Sequence, residues 1–339
     1  MISVSFIIPV YNCKSYLEGC IRSILQTGLV SSEIILVDDG STDGSGAVCD
    51  ALAAECAQIR VIHQSNGGAS AARNRGLREA GGERILFLDA DDSIDSDLLA
   101  EVLADDRCSQ TDLTVYGMTF DYYHRGKCYR RDPLGYPEDT VLTPAAWGCI
   151  FEELFEDNAL SPLWNKVFKR EILIKNDLVL NEQMFLYEDL EFVLRYMCCC
   201  GDIWNTPQKI YHYRQAEDEG NAGRRLARIA SIPVFLEPIE NALQALRECN
   251  SALCREQADS VLQRLYLVLA REKIAVSDLK GIRQICREFS GWAEARKLPL
   301  PVSPFQTRLM RGQAALLWLA NQKTQLRHRV AVWVKSRIC

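Results

Sequence analysis

Four short apolar segments, each followed by a polar loop and a helical pattern, constrain the fold of this chain more than any other feature. They occupy residues 3–8, 33–38, 59–63 and 84–89. Apolar runs of this length, bounded by turn residues, are typical of buried strands. Their alternation with helical patterns predicts an α/β fold with a mostly parallel sheet flanked by helices. Ligands of such sheets bind beyond the carboxyl ends of the strands, so the polar loops there form the candidate site.

The alternation fades after residue 105. Residues 113–120 are expected to form a strand, 121–144 a hairpin or loop, and 210–214 a short strand. Helical patterns cover 143–156 and 188–199, and almost everything beyond residue 221. We therefore predict a first domain over residues 1–220 and a helical C-terminal region over residues 221–339.

The charge of the chain is distributed unevenly. The 339 residues carry a net charge of −6, which disfavours binding to a nucleic-acid backbone. All 45 acidic residues precede Ser303, whereas the segment 303–339 contains seven basic residues. Together with the apolar runs 314–320 and 330–334, this tail is expected to lie on an anionic membrane surface as a peripheral contact. The alternative is a basic helix pair that packs on the acidic remainder of the chain.

The sequence suggests a cytoplasmic protein. No apolar run reaches the ~18 residues of a spanning helix. The first residues lack the charged and apolar regions of a secretory signal. The 14 cysteines lack the paired spacing of zinc sites, so we interpret them as small buried hydrophobic residues. The expected location is the cytoplasm, including the inner face of the plasma membrane.

Polar clusters end three of the predicted strands. They are Pro9-Val10-Tyr11-Asn12, Asp38-Asp39-Gly40-Ser41 and Asp89-Ala90-Asp91-Asp92. Asp89 and Asp91, two residues apart in a tight turn, suit a hard divalent cation such as Mg2+ or Mn2+ that is also bound by phosphate oxygens. The alternative is that Asp91-Asp92-Ser93 only caps the following helix.

A glycine-rich stretch, Asn66 to Gly76, precedes and enters another predicted helix. Its small residues allow close approach of the backbone, and the start of a helix favours anions. Arg73 and Arg75 add donors suited to a nucleotide or its phosphates. The stretch is neither a dinucleotide-binding fingerprint nor a P-loop.

Four motifs in order over residues 4–92 resemble the inverting family 2 glycosyltransferases, which use nucleotide-diphospho-sugar donors on a GT-A fold. They are V-S-F-I-I-P-V-Y-N, I-I-L-V-D-D-G-S-T-D, N-G-G-A-S-A-A-R-N-R-G and I-L-F-L-D-A-D-D. The resemblance implies a donor, expected to be uridine-linked, that is bound through Pro9, Tyr11, Asn12, Asp39, Asn66, Arg73, Asn74 and Asp89. It also implies that Asp91, with Asp89, binds the metal, and that Asp92 is a substitute for either.

Two later motifs extend the likeness to about residue 215. Trp164-Asn165-Lys166 resembles a segment of polysaccharide-building bacterial members, and Glu188-Asp189 resembles a motif whose aspartate is the catalytic base. Asp189 is thus the expected base, since the acceptor hydroxyl must lose a proton as it attacks, and Glu188 is expected to support it or to contact the acceptor. The alternative is that both are favourable charges of a first helical turn. Trp164 is expected either to stack on an acceptor sugar or to be core, and Lys166 to approach the diphosphate or the acceptor.

The sequence therefore predicts a metal-dependent inverting glycosyltransferase. Its acceptor would be a saccharide or lipid-linked saccharide of a surface polysaccharide. One alternative is a catalytically inactive nucleotide-sugar-binding scaffold, which the retention of Asp39, Asp91 and Asp189 disfavours. The other is a sugar nucleotidyltransferase, which would need a glycine-rich loop after the first strand, where the chain has no glycine between Pro9 and Lys14.

Overall fold

The computed structural model describes residues 3–124, 126–157, 159–215, 229–297, 303–317 and 320. Within them, the strands are β1 (Val4–Val10), β2 (Ser32–Asp38), β3 (Ile59–His63), β4 (Arg84–Phe87), β5 (Ser93–Ile94), β6 (Leu113–His124), β7 (Lys127–Leu134), β8 (Thr140–Leu142), β9 (Lys166–Lys169) and β10 (Ile203–Gln215). All ten belong to one sheet.

Helices connect many of the strands and make up most of the described residues after Gln215. They are α1 (Lys14–Leu25), α2 (Ser45–Glu55), α3 (Ala69–Glu79), α4 (Ser96–Ala104), α5 (Asp106–Gln110), α6 (Pro144–Cys149), α7 (Phe151–Glu156), α8 (Arg170–Lys175), α9 (Glu188–Met197), α10 (Ile232–Cys249), α11 (Arg255–Val276), α12 (Leu279–Ala295) and α13 (Pro304–Met310).

The sheet has the order β3-β2-β1-β4-β9-β6-β10-β5, with β7 beside β6 and β8 beside β10. Strands β1 to β4 are parallel to their neighbours among themselves, and β10 runs parallel to β6. The antiparallel pairings lie in the second half of the sheet, where β9 joins β4 to β6. The expected α/β class with a mostly parallel, helix-flanked sheet is confirmed.

The first half of the sheet is apolar because helices cover it. In β1 every residue except Pro9 is buried, and β2 is buried from Ile34 to Asp38. Helix α3 packs on β1 so closely that a Cβ at Gly76 would lie 2.4 Å from Cγ2 of Ile7. Glycine is therefore needed at this crossing, and the close packing fixes the position of α3 on β1.

Several predicted elements differ from the structure in extent. The expected helix over 143–156 is two short helices, α6 and α7, and the strand at 210–214 begins at Ile203. Strand β9 was not predicted, because its four residues, Lys166–Lys169, carry charges at both ends that hide the apolar centre. The charged 121–144 segment forms the end of β6, β7 and β8.

The chain divides into two compact units. One contains the described residues of Met1–Glu217 and Ala242–Cys254, with the whole sheet; the other contains those of Asp218–Asn241 and Arg255–Cys339, which are helical. The domain boundary near residue 220 stays a prediction, and the segment Ala242–Cys254 belongs to the first unit.

Two predictions on the tail are only partly covered by the described residues. Residues 314–317 are helical, whereas 318–319 and 321–339, which include the second apolar run and most of the basic residues, lie outside the description. Among the helices that are described, none is both long and apolar enough to cross a membrane.

Candidate active site

Asp39 organises the loop at the end of β2. Its carboxylate is buried and accepts hydrogen bonds from Gln64 Nε2 and from the backbone N–H groups of Gly67 and Gly68, each at 2.8 Å. The Asn66 side chain donates to the Asp39 carbonyl at 3.0 Å. The glycine-rich stretch is therefore fastened to Asp39 before any ligand binds. A carboxylate has about four acceptor positions, so one remains for a ligand donor.

The loop after β1 is tied to the same region. Asn12 has a left-handed backbone with a φ of 51°, which asparagine tolerates better than most residues. Its Oδ1 accepts from Thr42 N at 2.8 Å, and its N–H donates to Ser41 Oγ at 3.1 Å. Tyr11 beside it is 54% exposed, and Pro9 is half-buried. Thus Pro9, Tyr11, Asn12 and Asp39 lie on two connected loops at one edge of the sheet.

Arg73 joins the two acidic motifs. Its guanidinium, with a side chain only 7% exposed, lies 2.7 Å from Asp89 Oδ1, 3.4 Å from Asp189 Oδ1 and 3.9 Å from Glu188 Oε1. These four residues come from α3, from the turn after β4 and from the start of α9. One buried cation thus faces three carboxylates, and the cluster retains a negative excess suited to a further cation.

Asp189 lies in the first turn of α9 and is partly buried. Burial raises the pKa of its carboxyl to about 7, an effect that Arg73 opposes and that Glu188 and Asp89 reinforce. Tyr187, immediately before the helix, has a φ of 59°. A left-handed conformation at an aromatic residue is costly and is kept where the surroundings impose it. The strained turn orients the Glu188-Asp189 pair toward Arg73.

Strand β10 forms hydrogen bonds that fix the acidic turn after β4. Tyr211 donates from its hydroxyl to Asp92 Oδ2 at 2.7 Å and accepts from the Asp89 N–H at 3.1 Å. The Arg214 N–H donates to the second oxygen of Asp92 at 2.7 Å. Burial, with Asp89 and Asp91 nearby, raises the pKa of Asp92 to about 8. Asp92 is therefore a buried structural group of the turn, whereas Asp91 is exposed.

Sequence reasoning missed the part that Tyr211 and Arg214 take in this turn. The Arg214 guanidinium lies 3.6 Å from the ring centre of Tyr123 and 4.8 Å from that of Tyr16, an arrangement that holds a cation in place. The only signal in the sequence was the aromatic and basic pattern Tyr211-His212-Tyr213-Arg214.

Three of the predicted site residues, Asn74, Trp164 and Lys166, use their side chains for contacts within the fold. Asn74 is buried and bonds through its amide to the backbone of Leu180 and to Glu182, so it fastens α3 to the segment before α9. The Trp164 ring is stacked on Tyr211, with ring centres 4.1 Å apart, and is almost fully buried.

Lys166 has 0% exposure and donates to Pro162 O at 2.5 Å and Asn165 Oδ1 at 2.7 Å. Burial lowers the pKa of this lysine. In this conformation neither Trp164 nor Lys166 offers the acceptor a free surface, because each uses its polar or aromatic face within the core.

A known family matches this region. The sequence profile of glycosyl transferase family 2 matches residues 5–155. Residues 5–155 are therefore similar to this family of glycosyltransferases. That domain match contains Asp39, Arg73, Asp89 and Asp91, whereas Asp189 lies beyond it.

Curated proteins that are similar to this chain are named glycosyltransferases. The uncharacterized glycosyltransferase EpsJ of Bacillus subtilis is 28% identical over 335 residues, which cover 94% of this chain and 92% of EpsJ. The cholesterol galactosyltransferase of Borreliella burgdorferi is 29% identical over 57% of this chain and 54% of its own length.

A solved structure supports the fold. The S. aureus TarS fragment 1–349 in complex with UDP-GlcNAc matches with a TM-score of 0.60 and 17% identity, over 96% of this chain and 92% of the fragment. The expected GT-A fold is thereby confirmed.

Proposed function

We propose that this glycosyltransferase transfers a sugar, with inversion, from a uridine-diphospho-sugar to a saccharide or lipid-linked saccharide acceptor of a surface polysaccharide. The observation that carries the proposal is the contact of Arg73 with both Asp89 and Asp189. A donor-side carboxylate and a partly buried carboxylate suited to be the base thus share one cluster. TarS, which has the same fold, binds UDP-GlcNAc, and this favours uridine as the base.

We infer the division of roles from the motifs, and exposure and hydrogen bonding support it. The loops of Pro9–Asn12 and Asp39 bind the base and ribose, with Asn66 fixing the loop. Asp189 accepts the proton of the attacking acceptor hydroxyl, because a pKa near 7 lets it be ionised and yet able to take a proton. Glu188 supports it through their common contact with Arg73.

The residues present fit a divalent cation. Asp91 is exposed, and one oxygen of Asp89 is not engaged by Arg73. No group of three potential ligands was found in the part of the chain that the structure describes. The protein would therefore supply two carboxylates, and the donor diphosphate would supply further oxygens, as is common for Mg2+ or Mn2+. When bound, such an ion neutralises charge that develops on the leaving diphosphate.

Binding is tested first, by thermal shift with UDP-, GDP-, dTDP- and CMP-sugars, each in Mn2+ and in EDTA. A ligand at 100 times its Kd adds about 2.7 kcal/mol to the free energy of unfolding. We expect a shift with the UDP-sugars that EDTA removes. No shift with any nucleotide, from folded protein, would contradict the proposal.

Catalysis is tested with Asp189→Asn and Asp91→Asn, and Glu55→Gln is the matched control on the exposed end of α2. Asp189→Asn should keep the thermal shift and lose transfer, because the amide cannot accept the proton. Asp91→Asn should lose the metal-dependent part of the shift. Full turnover in either variant would refute the corresponding role, and the control should behave as the unchanged protein.

A further inference from the structure

His63, at the carboxyl end of β3, lies between two carboxylates. Its Nδ1 is 2.8 Å from Asp38 Oδ2, and its Nε2 is 3.0 Å from Asp50 Oδ1. Asp38 ends β2 and Asp50 lies on α2. The imidazole is 50% exposed, whereas the Asp38 side chain is buried. Asp38 and Asp50 are the charged groups that face the ring from the elements packed around it, within the described residues.

Both ring nitrogens face oxygens that only accept hydrogen bonds. A neutral imidazole has one N–H, so only the imidazolium can donate to both carboxylates. The hydrogen bond to Asp38, followed by the one to Asp50, raises the pKa of His63 above its usual 6.5. The doubly bonded state therefore extends toward neutral pH and is lost as the pH rises through the raised value.

Asp38 connects the imidazole to the loops of the candidate site. Its Oδ1 accepts from the Ser41 N–H at 3.1 Å, and Ser41 Oγ accepts in turn from the Asn12 N–H at 3.1 Å. The carbonyl of Asp38 also accepts from the N–H of Gln64, whose side chain bonds to Asp39. A continuous series of hydrogen bonds thus runs from His63 to the two loops that carry the donor-binding residues.

We propose that the imidazolium of His63 is a positioning residue for nucleotide-donor binding, which acts by holding Asp38 and, through it, the Ser41–Asn12 contact. The proposal rests on the proposed function of the site. When the ring loses its proton, the buried Asp38 carboxylate loses the cation beside it, and a charge-assisted hydrogen bond becomes a weaker one. The loops are then held less firmly, and donor affinity falls without a change in the chemical step.

The experiment measures the Kd of UDP with Mn2+ between pH 5.5 and 9, together with the His63 titration by NMR. We expect the Kd to rise by about three- to tenfold across the His63 titration, the effect of one weakened hydrogen bond. The donor KM should rise in parallel while kcat keeps its own pH dependence.

Three variants separate positioning from a merely structural role. His63→Lys, a permanent cation over this pH range, should make the Kd nearly independent of pH at its low value. His63→Gln should make it nearly independent of pH at its high value. Asp50→Asn removes one charge that stabilises the imidazolium, so the midpoint of both curves should move to lower pH. The matched histidine control is His212→Gln. His212 lies on β10 beside Asp121 of β6, and this variant should retain the pH dependence of the Kd.

The outcomes are distinct. UDP binding that does not vary through the His63 titration, or that still varies with the same midpoint in His63→Gln, would overturn the inference and leave the proposed function intact. Failure of UDP and of the other nucleoside diphosphates to bind at any pH would overturn the proposed function, and the inference with it.

Discussion

Replacing Arg73 with glutamine tests whether this cation sets the protonation of Asp189. The two groups are 3.4 Å apart, and both side chains are at least three-quarters buried. At an effective dielectric constant of about 20, unit charges at that distance interact by about 5 kcal/mol before screening. Solvent reduces this, so we expect the Asp189 pKa to rise by about one to two units, or about 1.4–2.7 kcal/mol.

The shift has a defined effect on rate, because Asp189 must be ionised to accept a proton. From a pKa of about 7, half of the carboxylate is ionised at pH 7. A rise of one to two units lowers that fraction about five- to fiftyfold, whereas at pH 9 the loss is about twofold or less. Activity of Arg73→Gln should therefore be recovered largely by raising the pH.

The assay is the initial rate of nucleotide release from pH 6 to 9.5, at donor concentrations that saturate each variant. Arg73→Lys keeps a cation and should shift the profile less. Arg75→Gln is the matched control, since Arg75 is more exposed and pairs with Glu79 on its own helix. A profile for Arg73→Gln with the unchanged midpoint would refute the reasoning, even if the absolute rate were lower.

Three further predictions concern stability, measured by urea unfolding unless stated. Gly76→Ala should lower the free energy of unfolding by about 2 kcal/mol, because the new Cβ meets Ile7, whereas Gly19→Ala, in open space on α1, should raise it by up to about 1 kcal/mol. Lys166→Met should lower the free energy of unfolding by about 1–3 kcal/mol without raising the acceptor KM. Unchanged stability with a raised acceptor KM would instead support an acceptor contact. The unchanged protein should have a higher Tm than His63→Gln. This difference should be largest below pH 6.5 and disappear as the pH rises through the raised pKa of His63, and a difference that does not vary with pH would contradict this.

The sequence was sufficient for the first half of the sheet. Strands β1, β2 and β4 are mostly buried and the edge strand β3 has three apolar residues, so their apolar runs and the polar loops after them can be recognised locally. The second half could not be read in this way. Strand β9 pairs with β4 and β6, which lie tens of residues earlier, and its own four residues carry no periodic pattern.

The site shows the same division. The motifs predicted that Asp39, Arg73, Asp89 and Asp189 belong to the functional site, and the structure brings the last three into contact. The orientation of side chains was not predictable from spacing. Asn74 satisfies the backbone of Leu180, 106 residues later, which no local pattern reveals. Lys166 donates to the carbonyl of Pro162, four residues earlier, and its burial depends on the packing around it.

Strand β10 is synthesised last among the strands of the sheet but lies inside it, between β6 and β5. Its Tyr211 and Arg214 reach back over 119 and 122 residues to Asp92. While the chain is still on the ribosome, strands β1 to β4 can pair. Until β10 emerges, however, the acidic turn lacks the hydrogen bonds of Tyr211 and Arg214, and β6 presents an unpaired edge. Open edges of this kind invite pairing with other chains. A nascent or truncated chain that ends before β10, including one limited to residues 5–155, is thus both unable to complete the turn and prone to aggregate.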